Sequence, residues 1–590
     1  MDVESLAPEA GNLKGFIEQF EVFARAPGGV EKLREIVLQL AIMGRLVENN
    51  DDSSELLLKS LVAKKEELIK LKIIKRVKSL GEITDDEKKF NIPKNWVWAR
   101  ASDVFDIRDG THDSPKYQES GYPLVTSKNI YTGKLDLTNV KYISESDHLK
   151  ISERSKVDKG DILFAMIGSI GNPVIIDIEP VFSVKNVGLF KYYNRDESVP
   201  EFLLLYLKLA SVWMKDEASG AVQSFVSLGT LRAIPFPLPP LEEQKRIVAK
   251  VDELMTLCDK LEAQQQQQAQ TVLRANTAAI NALLNPAPKE SKKSQKTSEI
   301  VPANTPETTF EQNWQRIAQH FNTLYGCTLP MPKGEGRKKK HLVGLENVRS
   351  LRQLILQMSC SGLLIDSSKF PDSRDDLIKL GIDKFDNENF GVIPENWCWV
   401  KLNELSEFIT SGSRGWKKFF SNKGDTFIRS QDIKHDKLFC EDKAYVSLPE
   451  NIEGKRTRVS DGNILITITG ANVGKCALIS GLNEKAYVSQ HVALVRLIST
   501  DYAIYLHKWL TNEFGGRFIL VGDSYGDKPG LNLKQIGALP VPFPSIEEQK
   551  HIVAKVDQLM TLCNQLEQQL IQSYSDAEKL MQGTVKALVA

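Results

Sequence analysis

Along residues 247–261 the apolar positions fall at spacings of four, three, four and three, through Ile247, Val251, Leu254, Cys258 and Leu261. That rhythm lays all five on one seam of a helix and predicts a coiled-coil face. The same seam returns as Ile552, Val556, Leu559, Cys563 and Leu566, and continues through Leu570, Ser573, Ala577 and Leu580. Shorter helical patterns sit upstream of each, at Leu33, Ile36, Val37, Leu40 and at Leu351, Leu354, Ile355, Met358. Between the helical tracts, residues 92–240 and 393–545 hold short β-rich runs such as Asp161-Ile162-Leu163-Phe164-Ala165-Met166 and Asn463-Ile464-Leu465-Ile466-Thr467-Ile468, punctuated by Gly, Asp and Asn. Helical stretches follow near 201–215 and 502–513, so each of these regions is predicted to be mixed α/β.

The pattern is written twice. Glu242-Glu243-Gln244-Lys245 opens a seventeen-residue stretch, ending at Cys258, that reappears 305 residues later as Glu547–Cys563 with changes only at His551 and Gln558. Leu33-Arg34-x-x-Val37-Leu38-Gln39, closing on Gly44-x-Leu46, is matched by Leu351-Arg352-x-x-Ile355-Leu356-Gln357, closing on Gly362-x-Leu364. Ile92-Pro93-Lys94-Asn95-Trp96-Val97-Trp98 is matched by Ile393-Pro394-Glu395-Asn396-Trp397-Cys398-Trp399. A period of about 300 residues is too long for a solenoid repeat, so whole domains are duplicated in tandem.

The order implies seven segments: a helical region over 1–91 that packs on the C-terminal helix, an α/β domain over 92–240, a central helix over 241–285, and a flexible linker over 286–307. A second helical region over 308–391 follows, with a basic loop at 333–341, then a second α/β domain over 392–545 and a C-terminal coiled-coil helix over 546–590. The linker, rich in Lys, Ser, Pro and Thr, lacks the apolar residues to fold. The proline ladders at 235, 237, 239 and at 540, 542, 544 predict stiff extended struts. Ser545-Ile546-Glu547-Glu548 predicts a capping box at the start of the last helix, whereas Pro240 stands in place of the serine in the first copy. Each seam needs a partner, which predicts residues 547–590 on 14–70 and residues 242–284 on about 308–365, a circular pseudo-twofold arrangement of antiparallel helices.

Composition narrows the function. Lys plus Arg equals Asp plus Glu at 76 each, with 42% hydrophobic residues. No apolar run approaches the roughly 20 residues needed to span a bilayer, and the amino terminus lacks a signal-peptide pattern, so a cytoplasmic location is expected. Seven scattered cysteines without Cys-x-x-Cys spacing predict reduced thiols and no zinc site, with Cys258 and Cys563 filling the seams. The domains carry net charges of −1 (92–240) and +3 (393–545), so any DNA contact must rest on local clusters. Gly470-Ala471-Asn472-Val473-Gly474-Lys475-Cys476 looks like a phosphate loop, but it has one residue too few between its glycines and cysteine where Mg²⁺ needs a hydroxyl. No catalytic constellation stands out, and none for a metal.

The ordered, duplicated motifs resemble the specificity (S) subunit of type I restriction-modification systems over nearly the whole chain. That resemblance implies a non-catalytic subunit that binds double-stranded DNA, each α/β domain being a target recognition domain for one half of a bipartite sequence. It also implies helices that act as spacer and dock two methyltransferase (M) subunits, with restriction/translocase (R) subunits in the full complex. S-adenosylmethionine, ATP and Mg²⁺ would then belong to the partner subunits and not to this chain. The alternative is a non-DNA coiled-coil scaffold presenting two ligand-binding domains. Candidate DNA contacts are polar and aromatic residues in glycine-flanked segments: Thr111, His112, Lys116, Tyr117, Ser127, Lys128 and Asn129 in the first domain, and Ser413, Arg414, Trp416, Lys417, Arg429, Ser430 and Gln431 in the second. Arg and Lys suit guanine edges and Asn and Gln suit adenine. Trp96, Trp98, Trp397 and Trp399 are expected in the domain cores.

Overall fold

The computed structural model describes residues 26, 28–48, 52–78, 80–218, 225–284, 310–332, 341–382, 390–412, 415–439, 442–449, 454–470, 472–522, 524 and 530–589. The linker over 286–307, most of the basic loop over 333–341, Ser413 and Arg414 lie outside the described residues. The chain divides into two compact units, one of residues 1–267 with 574–590 and one of residues 268–573. No helix among the described residues is long and apolar enough to cross a membrane.

In the first unit, helix α1 (Gly29–Ile42) buries Leu33, Ile36, Val37 and Leu40. They share one core with Ile247, Val251, Leu254 and Cys258 of the long helix that follows the α/β module. Arg34 fixes the register of this pair by reaching Asp259 at 2.5 Å and Glu262 at 3.0 Å. Helix α2 (Ser54–Lys70) starts at Ser53, whose hydroxyl accepts the Glu55 amide.

The module opens with β1 (Val97–Arg100) and continues through β2 (Phe105–Asp109), β3 (Tyr122–Val125), β4 (Lys141–Ile143), β5 (Ile162–Ala165), β6 (Gly171–Ile175), β7 (Ser183–Val184) and β8 (Val187–Tyr192). Helix α3 (Pro200–Ala218) and β9 (Pro235–Leu238) close it, and α4 (Leu241–Leu284) departs. One sheet has the order β2-β8-β5-β6 and a second β4-β3-β7, while β1 pairs antiparallel with β9. The proline ladder is therefore a strand and not a free strut. Prolines at alternate positions place every missing N–H on one side, leaving Phe236 and Leu238 to serve the ladder with Ala99 and Val97.

The second unit repeats this plan. Helix α5 (Val343–Cys360) precedes β10 (Cys398–Lys401), β11 (Ser406–Ser411), β12 (Phe420–Ser421), β13 (Asp425–Ile428), β14 (Ile433–Lys434), β15 (Lys437–Leu438) and β16 (Ala444–Val446). Next come β17 (Ile464–Thr467), β18 (Cys476–Leu478), β19 (Ala486–Val488), β20 (Val492–Leu497), α6 (Ala503–Thr511), α7 (Gly516–Gly522), β21 (Pro540–Phe543) and α8 (Ile546–Val589). The sheets are β11-β20-β17-β18 and β12-β16-β13-β19, with β10 paired to β21 and β14 to β15. Arg352 of α5 reaches Asn564 at 2.6 Å and Glu567 at 2.8 Å, matching Arg34 of the first unit.

These pairings correct the predicted exchange of helices. The near part of each long helix carries the short helix of its own repeat, and only the far part goes elsewhere. Ile280 and Leu283 of α4 join the α5 core of the second unit, and Met581 of α8, flanked by Ala577 and Val585, joins the α1 core of the first. The seams could not decide this, because α1 and α5 offer the same spacing and carry an arginine at the same place, each reaching matching positions of the long helix of its own repeat. The last part of the second seam also differs: Leu580 is exposed and Met581 buried, as expected when a helix near 3.6 residues per turn drifts from a 3.5-residue repeat.

The two repeated motifs meet at a buried carboxylate. Glu243 accepts from Trp96 Nε1 at 2.7 Å and Asn95 Nδ2 at 2.9 Å. Glu548 accepts from Trp397 Nε1 at 2.9 Å and Asn396 Nδ2 at 3.3 Å. Ser545 Oγ does cap the Glu548 amide, but the Glu548 carboxylate faces this tryptophan instead of returning to the cap, so half of the predicted capping box is replaced by a tertiary clamp. Beside it, Gln244 and Gln549 donate to the carbonyls of Pro239 and Pro544. Gly44 and Gly362 sit at φ +68° and +72°, where an added Cβ would collide with Pro93 and Pro394 respectively. Helix end, Ile-Pro-x-Asn-Trp strand and Glu-Glu-Gln helix thus converge on one joint in each unit.

Candidate nucleic-acid interface

Three landmarks shared by the modules turn out to be caps. Asn129 Oδ1 accepts from the Thr126 amide, and its Nδ2 donates to the carbonyls of Asp136 and Asn139. Asp432 does the same work for the Arg429 amide at 2.8 Å. Asp161 accepts from the Asp158 amide, and Asn463 from the Ser460 amide. Ser227 and Asn532 cap the short helices that begin at Leu228 and Leu533. Short Asn, Asp and Ser side chains suit this because they mimic a backbone acceptor one turn away.

Around these caps, loops gather at one end of each module. In the first, the Thr111 amide donates to Val184 O, the Asn186 amide to Thr111 O, and the Lys185 amide to Val125 O. The segments near 110, 126 and 185 therefore lie side by side. His112 sits over them, with Nδ1 3.0 Å from Asn186 Oδ1 and Nε2 2.9 Å from Asp109. Arg154 also binds Asp109, which is buried. A cleft of about 240 Å³ opens beside Thr111, with Ser114, Lys150 and Arg154 on its wall. In the second module the Ser489 amide donates to Ile428 O, the Ile468 amide to His491 O, and Asn472 Nδ2 to Ser430 O. Thr469 Oγ1 lies 2.6 Å from His491 Nδ1, and Lys475 Nζ donates to Asn472.

The candidates separate sharply by environment. Lys116, Lys128 and Tyr117 are exposed, and Lys141 Nζ lies 4.0 Å over the Tyr117 ring. Gln431 is exposed at the position matching Lys128, while Ser127, Ser430 and Thr111 are half-buried beside these loops. Three candidates change role. Asn129 is buried with its amide committed to the cap. Trp416 is buried against Phe427, Val446 and Tyr487, because a side chain that large is cheapest to seat under the sheet. Arg429 is tied to Asp432 by a two-pronged pair and to the Asp442 carbonyl. The Lys417 side chain, Ser413 and Arg414 lie outside what is described. Trp96 and Trp397 are buried, and Trp98 and Trp399 half-buried.

Residues missed from sequence are Asn186, Arg154, His491 and the hairpin at 433–438. One signal was available for some of them. Of the non-glycine residues with positive φ among the described residues, Asn186, His435 and Asp436 fall in these loops. Asn, Asp and His are the types that best tolerate that conformation, and strained backbone concentrates at functional sites. Burial pushes the thiols of Cys258 and Cys563 up and those of Cys360 and Cys476 up to about 12, so none is a poised nucleophile. Among the described residues no group of three His, Cys, Asp or Glu side chains could hold a metal ion.

Two copies of one α/β frame whose loop ends differ in exposed polar residues define a tandem recognition protein. A family model described as the type I restriction modification DNA specificity domain matches residues 93–271 and again 394–573. The chain belongs to this family of type I restriction-modification specificity subunits, and its role is DNA sequence recognition. It is similar to the EcoAI specificity subunit of Escherichia coli, 27% identical over 91% of this chain and 90% of that one. It is also similar to the EcoEI specificity subunit of the same organism, 26% identical over 92% and 91%. Among solved structures it matches the HsdS subunit from Thermoanaerobacter tengcongensis at a TM-score of 0.41 and 17% identity, over 85% of this chain and 98% of that one. The family is that of the specificity subunit, which is not itself catalytic.

Proposed function

We propose that the two modules divide a bipartite DNA target, each reading one half through the loop end described above. Catalysis is then left to partner subunits: two methyltransferase subunits that modify adenine with S-adenosylmethionine, and restriction subunits that use ATP and Mg²⁺. The cytoplasm is the compartment this role requires. The observation that carries the division is that the modules share caps and strand orders but not exposed loop residues, the matched position holding Lys128 in the first and Gln431 in the second. A shared frame with divergent contact residues is what two readers of different sequences need, since phosphate contacts position and base contacts specify.

The helices α4 and α8 supply the spacer and the docking surface. Forty-four residues of continuous helix run about 66 Å, more than the 34–36 Å between half-sites one turn apart. Most exposed residues outside the seam are identical over the repeated stretch, Glu242, Lys245 and Thr256 matching Glu547, Lys550 and Thr561, and only Arg246/His551 and Glu253/Gln558 differ. That suits two copies of one partner. The test is to map methylated adenines in a host carrying the chain with its methyltransferase subunit. A bipartite consensus with an unread spacer, changed in one half when one module is exchanged, is the expected result. Methylation independent of this chain removes the proposal and favours the protein-scaffold alternative.

A further inference from the structure

The second module carries a structure whose sequence looks like an ordinary turn. Strands β14 and β15 form a two-residue hairpin, Ile433 facing Leu438 and Lys434 facing Lys437. His435 and Asp436 at its tip both have positive φ, 49° and 58°. This is the primed turn for which Asn-Gly is the least strained choice, and each non-glycine there carries a steric penalty. Something other than turn stability keeps those side chains.

Asp436 faces inward. Its carboxylate pairs with Arg517 of α7 and accepts from the Cys476 amide at 3.4 Å. The Arg517 side chain is mostly shielded, and its guanidinium is held above its ordinary range by Asp436 despite burial. The hairpin is thereby bolted to the module by a part-buried ion pair. Its other face is basic and uncompensated. The side chains of Lys434, His435 and Lys437 are exposed and make no ion pair or hydrogen bond among the described residues. Lysines elsewhere in the module do pair, Lys443 with Glu484 and Lys508 with Asp557.

The first module shows what the frame alone requires. The Asp136 amide donates to Asn129 O at 2.8 Å, just as the Phe439 amide donates to Asp432 O at 2.8 Å, so residues 130–135 occupy the place of 433–438. There the tip is Tyr131-Thr132-Gly133-Lys134, with Gly133 taking the positive φ without strain and Tyr131 exposed. The frame accepts a glycine turn, whereas the second module has a tip of two lysines and a histidine without glycine.

We propose that hairpin 433–438 reads guanine in the half-site of the second module, with His435, Lys434 and Lys437 as specificity-determining side chains and Arg517 as a positioning residue. A two-stranded ribbon fits the major groove, where guanine alone presents two adjacent acceptors, N7 and O6, to donors of this kind. This rests on the division of the target proposed above.

The test uses the full chain with its methyltransferase partner, mapping methylated adenines genome-wide for the wild type, His435→Gly, the double variant Lys434→Ala/Lys437→Ala, and Arg517→Gln. Glycine suits the φ at 435, so His435→Gly should melt at or above the wild-type temperature. It should methylate sites carrying another base at one G·C position of one half-site about tenfold more than wild type, one good base contact being about 1–3 kcal/mol. The other half-site consensus should not move. The lysine pair should relax the same half-site. Arg517→Gln should relax it too, by loosening the tip, and His435→Gly keeps the proposal testable where Arg517→Gln does not fold. An unchanged consensus, a uniform fall at every site as for a phosphate contact, a change confined to an A·T position, or relaxation in both halves each overturns it. A wild type with no bipartite consensus overturns the functional proposal itself.

Discussion

Glu548 offers the sharpest test of how the recognition module is joined to its helix. Its side chain is fully buried, yet it accepts from Trp397 at 2.9 Å and more weakly from Asn396 at 3.3 Å. Burial pushes its carboxyl above the ordinary range, outweighing the opposing pull of its hydrogen bonds to Trp397 and Asn396. Glu548→Ala deletes the acceptor and strands a buried indole N–H. A hydrogen bond to a charged group contributes about 1.5–3 kcal/mol and an unsatisfied buried donor costs about 1–3, so a loss of about 3 kcal/mol is expected. Glu548→Gln keeps an oxygen for Trp397 and removes the charge; it should stay within about 1 kcal/mol of wild type. The signs separate with pH. A carboxyl whose folded pKa is raised contributes stability below its unfolded pKa, near 4.5, and loses that contribution as pH rises through the folded value. The glutamine variant has no such loss, so its stability relative to wild type should improve from pH 4 to pH 7. Hydrogen exchange of peptides spanning 393–401 and 545–556 reads this joint locally, which a melt of a two-unit chain does not. A glutamine variant whose relative protection is flat with pH, or falls toward neutrality, would refute the argument that burial dominates this carboxylate.

Further outcomes follow from the caps, the core and the seams. Asn129→Ala should cost about 1–2 kcal/mol by losing a cap whose amide also serves two carbonyls, while leaving the methylation consensus unchanged at permissive temperature; an altered first half-site would return Asn129 to the base contacts. Trp416→Ala should destabilise its module by about 3–5 kcal/mol, seen as a lowered melting temperature, and wild-type thermal stability would remove it from the core. Cys258 and Cys563 should resist iodoacetamide in the native chain and react on unfolding in urea, since both thiols are buried with raised pKa. Arg34→Ala should cost about 1 kcal/mol or less, because its partner Asp259 is largely exposed, whereas Leu33→Ala should cost about 2–5 kcal/mol; equal costs in urea unfolding would mean that the ion pairs and not the seam hold α1.

Much of the fold was legible because it is periodic. Seams at four-three spacing, alternation in the strands and the twofold writing of each motif all survive as local patterns. The joints were not legible, because each needs two partners far apart in the chain: Trp397 and Glu548 are separated by 151 residues, and the capping-box pattern at Ser545 offered the glutamate a closer use. Helix partners were assigned correctly only for the far part of each long helix, since α1 and α5 have equivalent apolar faces and the same arginine. At the candidate interface, exposure could not be read from glycine-flanked position. Trp416 is large enough to be drawn under the sheet, and Arg429 has an acidic neighbour three residues on. Asn129 did carry a usable sign, because the matching position holds Asp432, and a residue type kept between two readers of different targets belongs to the frame.

The caps also explain how such a protein changes what it reads without refolding. At all three shared landmarks the fixed side chain bonds to backbone amides, so it places no demand on the identity of its neighbours. The turn between Asn129 and Asp136 and the turn between Asp432 and Phe439 close on the same amide-to-carbonyl bond although they share little at their tips. Substitution at Tyr131–Lys134 or Lys434–Lys437 therefore alters what is offered to solvent while the closing bond stays. The frame does not remain wholly neutral in this. Where the first module has Asp161 the second has Asn463, and the first must then supply Lys191 at 2.5 Å and Arg195 at 2.9 Å to compensate the buried charge. A tip that needs its own compensating partner, as Asp436 needs Arg517, ties its exchange to a second residue 81 positions away. Among the described residues the first module's glycine tip carries no such tie, so on the proposed division of the target single substitutions are freer to alter its half.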